Sequence, residues 1–253
     1  MKKALAIRQK LAVANPAVTR YQSDLSESHH NLAEVLLSDA RKPEEALESY
    51  KTGQNVMQRL AGANPAVTAF QMDLAQFDQS IGRLHALQGR FADAFAHLDP
   101  SITLARRLVG EHPDKIEPIS ILAESYSYRG WARMHAGQPD GAASDLRQAV
   151  ITYAKHPSLQ ADMRFDYCRA LSLLAGLGGN AKSGVTADEA REFSDQAVAT
   201  LENAINAGWA RPVELKEPDF DALRGREDFR RLVKALETNA AVKDPAAPSP
   251  EKK

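Results

Sequence analysis

The chain has 253 residues, 43% hydrophobic and 26% charged, with a formal net charge of −1 and only 6% aromatic residues. That balance excludes the strong cationic footprint of a nucleic-acid or membrane-surface binder. A single cysteine, Cys168, excludes an intrachain disulfide and argues against a thiolate metal cluster. The start lacks the apolar run of a signal peptide, and no stretch approaches transmembrane length. The expectation is a soluble, cytoplasmic chain of alanine- and leucine-rich helices.

Residues 1–13 predict an amphipathic helix with Leu5, Leu11 and Val13 along one side and Ile7 nearby. Asn15-Pro16-Ala17-Val18-Thr19 ends it, since proline removes an amide donor and restricts the residue before it. The same five letters return as Asn64–Thr68, 49 residues on from Asn15, and the flanks match too: Gln9-Lys10-Leu11-Ala12 against Gln58-Arg59-Leu60-Ala61, and Gln22, Asp24 and Leu25 against Gln71, Asp73 and Leu74. Weaker copies begin at His112-Pro113 and His156-Pro157. A period of this size marks stacked supersecondary units.

The first unit predicts a helix over 17–40, packed through Leu25, Leu32, Ala33, Leu36 and Leu37. A second follows over 43–62, opened by Pro43, Glu44 and Glu45 at its positive end. The second unit predicts helices over 66–88, with Phe70, Leu74, Phe77, Ile81, Leu84 and Leu87 inward, and over 91–110. Gly89 caps the first. Pro100 is expected to kink or end the second. The third unit predicts helices over 115–136 and 140–155, with Tyr126, Trp131, Leu146 and Ile151 as its large packing residues.

A degraded fourth unit follows. It has a helix over 159–176, a glycine-rich connector to Gly184, and a helix over 187–207 opened by a Thr186/Glu189 capping box. Two short helices joined near Arg224-Gly225-Arg226 are expected to cover the last apolar face, and residues 240–253 read as a disordered tail. The expected division is 1–13 as the second helix of an incomplete leading repeat, then repeats at 15–63, 64–111, 112–155 and 156–208, caps at 209–239, and the tail.

Gly82 with Gly89, Phe91 and Ala94, Gly130 with Gly137 and Ala142, and Ala33 with Pro43 and Ala46 resemble the tetratricopeptide (TPR) pattern, in longer repeats than usual. Lys3–Leu11 with Asn15–Thr19, and Asp219–Phe229, resemble the TPR arrays that lie C-terminal to the kinase domain of planctomycete-type bacterial serine/threonine kinases. The resemblance implies an all-α, right-handed superhelical solenoid of antiparallel helix pairs, and a fragment or relative of such a repeat region. The chain itself carries no glycine-rich phosphate loop, His-Arg-Asp segment or Asp-Phe-Gly segment.

Candidate chemistry is sparse. His29, His30 and Glu34 have metal-like spacing but too few ligands, and read as a solvent-facing polar patch. Gly176–Ser183 lacks the Gly-Lys-Ser/Thr ending of a phosphate loop and reads as a flexible connector. Cys168 lacks an evident activating base and reads as buried. No enzymatic activity and no cofactor are expected; the alternative is a ligand-binding or catalytic helical-repeat protein whose site forms only in three dimensions.

The positive expectation is a scaffold that binds a protein or peptide in its concave groove. The resemblance assigns that groove His30, Glu34 and Leu37 in the first unit, and Gln79, Arg83 and Ala86 in the second. Ser127, Trp131 and Met134 follow in the third, and Phe165 and Arg169 in the fourth. A homodimer through Leu5, Ile7 and Leu11 of the first helix is a further expectation, with neither nucleic acid nor membrane as a partner.

Overall fold

A computed structural model describes residues 2–38, 41–156 and 158–243. Among these residues the chain is all-α, a solenoid of helical repeats. Its contacts divide it into two compact units, residues 1–137 and 138–253.

The first unit holds α1 (Lys2–Ala14), α2 (Thr19–Ser38), α3 (Pro43–Ala63), α4 (Thr68–Leu87), α5 (Phe91–Glu111) and α6 (Ile116–His135). Each helix packs on the next, and α4 also packs on α6. The repeated Asn-Pro turn is built the same way twice. The Asn15 side chain donates to the Leu11 carbonyl, and that of Asn64 to the Leu60 carbonyl, each at the end of the preceding helix. Each of these carbonyls also accepts from the same asparagine's backbone amide, so the side chain adds a second bond to the last turn of the helix. One residue period also separates two further matching bonds, Gln22 to the Ala12 carbonyl and Gln71 to the Ala61 carbonyl, which tie each new helix to the one before.

Ala33, Ala46, Tyr50, Met57, Phe77 and Ile81 are core to the α2–α4 stack, and Ala86, Ala94, Leu98 and Ala132 to the α4–α6 stack. Burying a leucine the size of Leu98 contributes about 2–3 kcal/mol. The small residues set how close the helices come. A Cβ on Gly82 would lie 2.6 Å from Leu98 Cγ. Gly89 and Gly137 end α4 and α6 with φ of 72° and 74°, where glycine carries no Cβ penalty.

Three expectations fail here, and a fourth is narrowed. α1 docks through Leu5, Arg8 and Ala12, a 3–4 spacing, so Ile7, Leu11 and Val13 sit about 100° away and are exposed. Leu87, the last residue of α4, is exposed where the chain turns away at Gln88–Gly89. Of the two outcomes expected of Pro100, a kink or an end, the end does not occur: α5 runs from Phe91 to Glu111; Pro100 and Ala96 both face solvent, so water can serve the carbonyl that loses its donor. His29 and His30 are half-buried between helices rather than a solvent-facing patch.

The second unit holds α7 (Pro139–Ala154), α8 (Ala161–Gly176), α9 (Ala187–Asn206), 3-10 turns at Pro212–Lys216 and Pro218–Leu223, and α10 (Glu227–Lys243). α7 buries Ala142, Leu146, Ala149 and Tyr153, so Ile151 falls off that stripe and is exposed, against expectation. The Gly176–Gly184 connector is folded around one hydroxyl. Ser183 is buried and donates toward the Leu177 and Asn180 carbonyls while accepting from the Val185 amide. A Cβ on Gly178 would meet that of Ala190 at 2.3 Å, so glycine is what lets the connector lie against α9.

The Thr186/Glu189 capping box forms as the sequence predicts. The core gathers Phe165, Cys168, Leu201, Trp209, Phe220, Phe229 and Leu236. α10 is a single helix reaching Lys243, so the expected disorder over 240–253 does not begin at 240; residues 244–253 lie outside the described residues.

Candidate functional site

The period that repeats the Asn-Pro turn also brings equivalent positions of α2 and α4 together. Glu34 Oε1 accepts a hydrogen bond from Arg83 Nη2 at 3.0 Å across a separation of 49 residues. The same oxygen accepts from the hydroxyl of the fully buried Tyr50 on α3. Arg83 in turn lies 5.9 Å from the Tyr128 ring on α6. Burial alone would raise the Glu34 carboxyl; Arg83 and the Tyr50 hydroxyl outweigh it and hold Glu34 below the ordinary carboxylate range.

His30 donates or accepts at 3.2 Å with Ser80 Oγ on α4, and packs edge-on to Tyr50 and Phe77. Burial pushes its imidazole below the usual histidine value, with Glu34 opposing and Arg83 reinforcing the shift. His29 points instead to Ser49 on α3, at 3.3 Å. The two histidines therefore serve different helices, and no group of three metal-ligating side chains occurs among the described residues.

Above this network opens a cleft of about 420 Å³ between α2 and α4. Ser23, Glu27, His30, Asn31 and Glu34 line one wall, Asp73, Gln76 and Phe77 the other, and Met57 of α3 reaches in from below. Three carboxylates share it. Glu34 is neutralised by Arg83, and Glu27 stands 3.5 Å from Arg8. Asp73 is half-buried, and burial, with Glu27 adding to it, pushes its carboxyl above the ordinary value.

The other expected groove residues take several positions. Leu37 is half-buried against the α2–α4 core. Gln79 is buried and donates to Glu124 Oε2 at 2.5 Å. Ala86 is 1% exposed inside the α4–α6 core and offers no surface to a ligand. Ser127 is buried, and no partner of its hydroxyl is found among the described residues. Trp131 stacks on His135 at 3.8 Å between ring centres, and Met134 is half-buried.

In the second unit, Phe165 is core, stacked on Trp209 at 4.1 Å. Arg169 lies over that Phe165 ring and faces Asp166, Asp219 and Glu214. Of the eleven, then, His30 and Glu34 line the cleft, and Arg83 braces it from behind. Glu27, Asn31, Asp73 and Gln76 went unnamed, although 27–31–34 and 73–76–77 are single-face spacings on two helices already expected to be neighbours. Cys168 is fully buried as expected, and burial raises its thiol out of the reactive range.

Stacked helix hairpins of this kind define the chain as an all-α helical-repeat protein. Residues 79–114 match the tetratricopeptide repeat, over α4, α5 and the turn that follows, and this supports a TPR array. The crystal structure of BtubC (BKLC) from P. vanneervenii aligns with all of this chain and with 92% of its own length, at a TM-score of 0.63 and 15% identity, which speaks for the fold alone. No curated protein matches the chain. No described helix is long and apolar enough to cross a membrane.

Proposed function

We propose that the chain is a non-catalytic scaffold that holds a protein partner, with the α2–α4 cleft as the seat of an extended segment. TPR repeats generally mediate such interactions, and the cleft carries the reading: it is preformed, open along two neighbouring helices, and lined by side chains that can donate, accept and pack. Its carboxylates specify the segment. Asp73 and Glu27 face the opening without a full complement of cations, so a lysine or arginine of the partner would relieve the repulsion between them.

The likeness of residues 3–19 and 219–229 to kinase-linked arrays supports a bacterial, cytoplasmic role beside a signalling kinase. The exposed Ile7 and Leu11 edge of α1 is where a second copy would pair; sedimentation that gives a monomer at every concentration would dispose of that contact.

Selection of random twelve-residue peptides on the immobilised chain tests the cleft. Enriched sequences should carry lysine or arginine, and Asp73→Asn with Glu27→Gln should abolish their recovery. Enrichment without basic residues, or indifferent to both substitutions, would remove the cleft from the binding surface.

A further inference from the structure

The second unit carries a concavity of opposite charge. It measures about 460 Å³ and lies between the 3-10 turn Pro212–Lys216 and α10. Leu215, Phe229 and Val233 form its floor, and Lys216, Arg224, Arg230 and Lys234 stand around it with Glu237 as the sole carboxylate. Leu215 and Phe229 also belong to the core below, so the floor is fixed by packing that the unit needs in any case.

The rim is equally preset. Arg224 donates to the Lys216 carbonyl at 2.6 Å and the Glu217 carbonyl at 3.0 Å, which pins the turn that makes one wall. Three nearby acids are engaged, Glu237 with Lys216, Asp221 with Arg224, and Asp228 with Arg226, while Glu227 stands one turn before Arg230 on α10 without an ion pair to it. Arg230 and Lys234, one helical turn apart on α10, have no side-chain partner among the described residues. Two uncommitted cations thus flank an apolar floor.

We propose that this groove is a second docking surface, for a segment of a partner protein that carries a large apolar side chain flanked by aspartate or glutamate. The apolar side chain packs on Val233, and the carboxylates meet Arg230 and Lys234. Charge complementarity favours acid over neutral segments, and two guanidinium or ammonium groups a turn apart match carboxylates spaced along one face of a peptide. Leu215 and Phe229 are almost wholly covered, so the apolar surface within reach is that of the half-buried Val233 with the stems of the flanking cations, an area that suits one side chain of a peptide rather than a lipid surface. The site is independent of the α2–α4 cleft, takes peptides of the opposite charge, and stands or falls separately.

The test uses the whole chain and a random twelve-residue peptide library, with Arg230→Ala/Lys234→Ala as the comparison protein. Alanine is a good former of exposed helix, so α10 should persist, and a far-ultraviolet melt checks it. The intact chain should enrich peptides with aspartate or glutamate beside leucine, isoleucine or phenylalanine, and the paired variant should bind those peptides about tenfold more weakly. Replacing their acids with amides should cost a similar factor, and both losses should shrink in high salt. Overturning results are an enriched set without acids, acid peptides bound equally by the folded variant, or vesicles of one-quarter phosphatidylserine in phosphatidylcholine bound through Arg230 and Lys234 while no acidic peptide is.

Discussion

Glu34 and Arg83 meet at 3.0 Å with one full repeat period of sequence between them. The pair is therefore a product of the repetition itself: equivalent positions on successive first helices face each other, and here they carry opposite charges. Tyr50 adds a third helix to the contact by donating its hydroxyl to the same carboxylate. Glu34→Ala leaves the buried Tyr50 hydroxyl without its acceptor and Arg83 without its counter-ion. The expected loss is about 1–2 kcal/mol in urea denaturation, toward the lower end because the carboxylate is partly solvated. Glu34→Gln, which keeps an acceptor for Tyr50, should cost less. Equal costs would mean that the hydroxyl bond contributes nothing.

The acid side of the stability profile should reflect His30 and Glu34. Burial lowers the imidazole pKa in the folded chain, so the unfolded chain takes up a proton first as pH falls. The His30 contribution is complete above the ordinary histidine value and declines as pH drops from there through the folded value. Glu34, also depressed, contributes fully above the ordinary carboxylate range and loses that contribution as pH falls through its own lower folded value. Denaturation midpoints should therefore fall in two stages. His30→Asn should flatten the first and spare the second; a first stage unchanged in that variant would assign it elsewhere, with His29 and His85, both also lowered, as the alternatives.

Glycines separate packing from backbone effects. Gly82→Ala puts a Cβ 2.6 Å from Leu98 Cγ and 3.2 Å from the Ala94 carbonyl, and should destabilise by about 1–3 kcal/mol. Gly110 in α5 has nothing within 4 Å of a new Cβ, so Gly110→Ala should stabilise by up to about 1 kcal/mol through helix propensity alone. Thermal melts of the two variants should move in opposite directions. Movement in the same direction would refute the close approach of α4 and α5.

The helices were legible because proline, glycine and the Asn-Pro repeat punctuate the chain in ways that local physics enforces. The face each helix buries was harder to read. Ile7 and Leu11 look like a packing stripe, yet α1 docks through Ala12 and the guanidinium of Arg8, which donates to the Asp24 carbonyl and Ser28 Oγ, a contact that a hydrophobicity pattern cannot register. Ala86 shows the converse: a position equivalent to Leu37 and nominally groove-facing is core, because α6 packs over it with Ala132 and Trp131. Two of the three cleft acids were harder to read for a different reason. Glu27 and Asp73 are unremarkable on their own helices, and only the stacking of α2 on α4 makes them neighbours.

That neighbourhood sets up the prediction most closely tied to function. Asp73 carries a raised pKa, so the folded chain holds its charge at a cost, the reverse of Glu34. Its unfavourable contribution is present above the folded value and is relieved as pH falls through it. Asp73→Asn removes that charge and keeps the shape, so it should raise the denaturation midpoint at neutral pH and give no gain in acid, where Asp73 is already protonated. The same substitution should weaken any basic segment that seats between Glu27 and Asp73. A gain in stability paired with a loss of binding is the signature of a charge kept for recognition. Loss of stability in Asp73→Asn at neutral pH would instead mark Asp73 as a structural acceptor and move the basic side chain's contact to Glu27.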